Sequence, residues 1–210
     1  MPDRNLRDII SDAKQQSVKP LFPYLKVHIF GPYEGDCFAY LTQLKIELRK
    51  YGFKNTYLAT DRGTDIPDEL SDEEKVAIYR QEANSFLNEA DVGIFLNLDH
   101  TFDRPSLSDQ ALAQSHDPDD NPREVNNSVS SEIEYWVNNR VEQHAFVLAE
   151  ESIYPDLGSR VTGLKKLNSV HFDTVEDQNI SECVTKCKKR CFDWVLGDFQ
   201  SELWQRSRHG

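Results

Sequence analysis

The sequence predicts an α/β fold, a three-layer sandwich in which helices cover both faces of a five-stranded, mostly parallel sheet. Three observations carry that expectation. Short apolar runs bounded by turn residues alternate with longer segments of helical periodicity. One of those runs, Asp91 to Asn97, is apolar at almost every position, as a strand buried on both faces requires. The 210 residues suffice for one domain with a real core and are too few for two ordinary ones.

Taken in order, residues 1–24 read as an N-terminal helix and linker, with Leu6, Ile9, Ile10 and Ala13 at helical spacing before Pro20 and Pro23. Residues 25–210 form the α/β domain. Its first strand is Leu25 to Phe30, ending in the turn Gly31-Pro32-Tyr33. A helix from Cys37 to Tyr51 follows, burying Phe38, Leu41, Leu44, Ile46 and Leu48 and stopped by Gly52. Asn55 to Ala59 is the second strand, with an acidic loop from Asp61 to Asp68 behind it. Ser71 and Glu74 have the spacing of a capping box, which starts a helix running to about Glu89. Asp91 to Asn97 is the third strand. The stretch 99–127 is polar and rich in Asp, Ser and Pro, which suits a surface excursion or a partly disordered lid. A helix from about Ser130 to Val141, a strand from His144 to Ala149, a fifth strand from Ser169 to Phe172 and a long last helix from Thr174 to Trp204 complete the chain. Right-handed crossovers between such units favour a flavodoxin-like strand order within a Rossmann-like sandwich. Ligands then belong at the topological switch point, beyond the carboxyl ends of the strands.

Composition narrows the function. The net charge is −12, from 36 acidic against 24 basic residues. Such a field repels phosphate backbones and anionic bilayers, so neither nucleic acid nor membrane is an expected partner. No apolar run approaches the roughly 20 residues that span a bilayer, and no signal-peptide core follows Met1, so the expected location is the cytoplasm. Cys183, Cys187 and Cys191 recur every fourth residue and line one stripe of a helix. With Cys37 they read as small, half-buried thiols, since their spacing is not that of a zinc knuckle or ribbon, and no metal site is expected.

Three strand-end segments could carry chemistry. Gly31, Pro32 and Tyr33 let a ligand approach the backbone ahead of a helix N-terminus, although a plain strand-ending turn explains them as well. Asp99 could hold a ribose hydroxyl or orient a base, or be a solvated loop acid. Ser128 to Trp136 places Glu132 in the first turn of a helix, where the dipole favours the ionised form that a nucleophile or an oxocarbenium stabiliser needs. Ser131 and Glu134 have capping-box spacing, which would make Glu134 structural, and Glu132 and Glu134 face different ways. Asp61 and Asp65 follow the second strand, but the end of the first strand lacks the acidic pair of a receiver-like phosphoacceptor.

At these residues the chain resembles the nucleoside 2-deoxyribosyltransferase-like fold group. The matching blocks are Phe30-Gly31-Pro32-Tyr33, the Ala90 to Asp99 strand, and Ser128 to Tyr135. They span roughly residues 25–150. The family's Gly-Thr before the Glu is replaced here by Ser128-Val129, and a small residue two places after it by Glu134. The same topology and late Glu also resemble Toll/interleukin-1 receptor-type domains that cleave NAD.

The shared chemistry that this resemblance implies is cleavage or transfer at an N-glycosidic bond of a nucleoside, nucleotide or NAD. Glu132 and Asp99 would be catalytic, and Gly31, Pro32, Tyr33, Asp61, Ser128 and Ser131 would bind substrate. No cofactor is required. Related enzymes often complete their pockets across a subunit interface, so a homo-oligomer belongs to the expectation. The competing reading is a non-catalytic nucleotide-sensing or protein-interaction module on the same fold.

Overall fold

Five strands build the sheet: β1 (Val27–Phe30), β2 (Thr56–Leu58), β3 (Val92–Asn97), β4 (His144–Glu150) and β5 (Val170–Val175). Their order is β2-β1-β3-β4-β5 and every neighbouring pair is parallel. The computed structural model describes residues 14, 16–33, 35–62, 69–99, 127–139, 144–156 and 170–209. Most of the N-terminal segment and nearly all of the polar excursion lie outside those residues.

Helices α1 (Gly35–Tyr51) and α4 (Ile180–Gly197) cover one face of the sheet, and α2 (Asp72–Glu89) and α3 (Asn127–Asn139) cover the other. The final helix α5 (Gln200–His209) packs against a 3₁₀ turn at Lys19–Tyr24. Each face has its own core. Val27, Ile29, Ile94 and Leu96 point toward α1 and α4, while Phe30, Phe95 and Val147 point toward α2 and α3. β3 is buried along its whole length, which is why its sequence is apolar at nearly every position.

Local chemistry explains the element ends. The Ser71 side chain accepts from the Glu74 backbone N–H, and the Glu74 carboxylate accepts from Ser71 N–H at 2.9 Å, a complete capping box. Those bonds hold the Glu74 carboxyl below its ordinary range. Gly52 ends α1 at φ +131°, a conformation that side chains rarely adopt.

Three sequence expectations are corrected. α3 begins at Asn127, so Ser131 and Glu134 are exposed positions inside the helix and cannot cap its start. The expected long last helix is a strand and two helices. β5 runs on to Val175, and the chain breaks again at Asp198–Phe199 between α4 and α5. The four cysteines are fully buried rather than half-buried, between 0% and 3% exposed, and burial pushes the Cys191 thiol up to about 12. Among the described residues no helix is long and apolar enough to cross a membrane.

Candidate functional site at the carboxyl edge of the sheet

The strand order reverses between β1 and β3, so the switch-point crevice opens beyond Phe30 and Asn97. Gly31 turns the chain there in close quarters. A Cβ on it would come within 2.8 Å of Leu41 Cδ2 and 3.3 Å of the Leu96 carbonyl oxygen. Gly31 and Pro32 are buried, and the turn carries Tyr33 back over the sheet edge. The Tyr33 hydroxyl donates to the Ile29 carbonyl at 3.1 Å and accepts from the Ala59 backbone N–H. Burial, followed by the nearby charge of Glu132, raises the phenol well above its ordinary range.

Glu132 sits in the second turn of α3, beside Val129 and Trp136 of the core. Trp136 packs on Phe95 with ring centroids 5.6 Å apart. α3 runs antiparallel to the strands, so Glu132, one turn earlier, lies about 5.4 Å nearer the carboxyl edge. Its Oε2 is sealed from solvent and has no hydrogen-bond partner among the described residues. Burial alone drives its pKa from 4.5 to about 8. The expectation of an ionised, dipole-stabilised carboxylate is therefore corrected. The dipole acts within the first turn, Glu132 is beyond it, and desolvation wins. At neutral pH most molecules carry the protonated acid.

A residue that sequence reasoning passed over joins it. Asn97, the last residue of β3, is fully buried and shares the α3-facing side of that strand with Phe95. Its Nδ2 makes a long bond to the Leu148 carbonyl at 3.5 Å, and its Oδ1 has no partner among the described residues. The one signal available was an amide closing an otherwise apolar strand.

The remaining predicted residues are distributed around this centre. The Asp99 carboxylate accepts from Ser152 Oγ at 3.3 Å, while its backbone N–H donates to Glu150 Oε2 at 2.6 Å, which fixes it toward the β4 end of the edge. Asp61 has both oxygens engaged, with Lys45 Nζ at 2.6 Å and the Leu58 N–H at 2.8 Å, so its first role is to hold the turn after β2. Ser131 points to solvent, and the Ser128 side chain and Asp65 lie outside the described residues. The carboxyl that faces the interior is Glu132, and Glu134 is exposed.

Tyr33 and Glu132 lie close enough for the carboxyl charge to act on the phenol, and Asn97 ends β3 on the sheet face that α3 covers. Glu132 Oε2 and Asn97 Oδ1 are buried without donors among the described residues. Buried polar groups are nearly always hydrogen-bonded, and unpaired ones cost about 1–3 kcal/mol. An arrangement that spends stability in this way suits a ligand that brings hydroxyl or N–H donors. No protein-family model and no curated protein matches the chain.

Proposed function

We propose that this protein cleaves or transfers at the N-glycosidic bond of a nucleoside, nucleotide or NAD, with Glu132 as the group that meets the sugar. The observation that carries the reading is Glu132 Oε2, buried beside Tyr33 and without a partner among the described residues. A ribose supplies what the site lacks, because its hydroxyls can donate to Glu132 Oε2 and Asn97 Oδ1. Those bonds favour the ionised form, so the pKa of Glu132 falls on binding and a proton is released. The carboxylate then attacks C1′, or stabilises positive charge there, while the C1′–N bond breaks and its electron pair leaves with the base. A base that is uncharged in the nucleoside leaves as an anion and takes up the proton Glu132 released, whereas nicotinamide leaves NAD already neutral. Water closes a hydrolase cycle and a second base a transferase cycle, freeing Glu132 in either case. In this reading Tyr33 packs on base or sugar, Asp99 holds a hydroxyl at the β4 end, and Gly31 and Pro32 shape the wall. The net charge of −12 keeps the partners to small molecules in the cytoplasm rather than nucleic acid.

The test is product analysis by chromatography with NAD, nucleosides and nucleoside monophosphates, using wild type and Glu132→Gln. Free base from wild type, reduced by about 100-fold or more in the variant, supports the reading. Base release that survives in Glu132→Gln overturns the role of Glu132. Absence of release from every substrate overturns turnover and leaves the second reading, a nucleotide-sensing module. The neutral acid is the observation in its favour, since a protonated carboxyl both donates and accepts and suits recognition without chemistry. Ligand-induced shifts in melting temperature would then identify the nucleotide.

A further inference from the structure

A groove of about 320 Å³ lies between the edge strand β2 and helix α2, on the α2-facing side of β1. Its floor is His28 of β1, which is only 2% exposed. The imidazole stacks on Phe86 of α2 with centroids 4.0 Å apart and meets Tyr57 of β2 edge-on at 5.7 Å. His28 Nδ1 lies 2.8 Å from the Phe86 carbonyl oxygen, which can only accept, so Nδ1 carries the ring proton. Nε2 is left with a bare lone pair, and no residue among those described donates to it. Tying one ring nitrogen to a backbone carbonyl while leaving the other on a cavity is the arrangement that presents histidine to a ligand.

The charges around the groove are largely spent on one another. Arg62 lies over the Phe86 ring at 5.4 Å and pairs with Glu89. Asp61 is neutralised by Lys45 at 2.6 Å, and Asp91, below His28, is held by Arg206 at 2.7 Å. Lys26 also lines the groove and forms no ion pair among the described residues. It lies two residues before His28 on the same side of the chain, about 6.6 Å along it.

We propose that this groove is a second ligand site, independent of the Glu132 reading, for a small aromatic acid bearing an O–H or N–H donor opposite its carboxylate. The ring would lie against Tyr57, donate to His28 Nε2 and set its carboxylate by the Lys26 ammonium.

The experiment uses the full chain with ¹⁵N-labelled histidine, titrated with 4-hydroxybenzoate and followed by NMR and calorimetry. The His28 Nε2 resonance is expected to move from a bare toward a hydrogen-bonded position. Benzoate, which lacks the donor, should bind about tenfold more weakly. Lys26→Gln should weaken 4-hydroxybenzoate several-fold, and His28→Phe should abolish the difference between the two acids. Because burial holds His28 near a pKa of about 4, affinity should stay flat from pH 5.5 to 8. An Nε2 resonance that does not move at saturating 4-hydroxybenzoate overturns the proposal, as do equal affinities for the two acids. Should His28→Phe fail to fold, Lys26→Gln still decides, because unchanged affinity in that surface variant removes the carboxylate end.

Discussion

The two ends of β3 treat buried polar groups in opposite ways. At the amino end Asp91, 6% exposed, is completely served. Arg206 clasps it through two bonds of 2.7 and 2.9 Å, and the Lys26 backbone N–H donates at 2.8 Å. At the carboxyl end Asn97 Oδ1 and Glu132 Oε2 are buried with no donor among the described residues. The contrast is not one of burial, since all are shielded. It is one of purpose: the amino end ties α5 to the sheet, and the carboxyl end holds unmet hydrogen-bonding capacity where α/β sheets bind ligands.

That contrast can be broken first at its stable end. Arg206→Ala leaves the Asp91 carboxylate buried without its cation and should cost about 3 kcal/mol in chemical denaturation. A loss below about 1 kcal/mol would mean that Asp91 finds water as readily as the open end does, and the contrast would fail.

The second test concerns pH. Above 4.5 the unfolded chain releases the Glu132 proton, while the folded chain keeps it to about 8. The native state therefore binds more protons in that window. Its stability falls as pH rises from about 4.5 to 8, then levels off. Glu132→Gln removes this dependence. The variant should match wild type near pH 4.5 and exceed it near pH 8 by on the order of 2 kcal/mol, after allowance for relaxation of the pocket. A stability difference independent of pH would show that the acid is solvated rather than sealed.

The smallest effect sharpens the comparison. Asn97→Leu replaces an unserved amide with an apolar group of similar size and should raise stability by about 1 kcal/mol, read from the denaturation midpoint. Ligand binding at the crevice should weaken at the same time. Destabilisation instead would assign Asn97 to the scaffold through its long bond to Leu148.

Much of this molecule is written locally. The Ser71–Glu74 capping box, the apolar β3 run and the Gly52 stop are short-range patterns, and each forms where the residues imply. Alternation of strands and helices was enough for the parallel sheet and its switch point, because crossover handedness leaves few other ways to bury both faces. The Glu132 segment was legible as a candidate, but its electrostatic character was misread. Moving the start of α3 from Ser130 to Asn127 takes Glu132 out of reach of the helix dipole.

The sequence by itself determined the fold class and the order of the strands in the sheet, because these follow from periodicity and handedness. Only the tertiary structure decided which polar groups are served. Arg206 reaches Asp91 across 115 positions, His28 is bound to the Phe86 carbonyl 58 positions away, and none of the described residues reaches Glu132 Oε2 or Asn97 Oδ1. Hydrogen-bond partners and desolvation depend on packing between segments distant in the chain, and no local pattern encodes them.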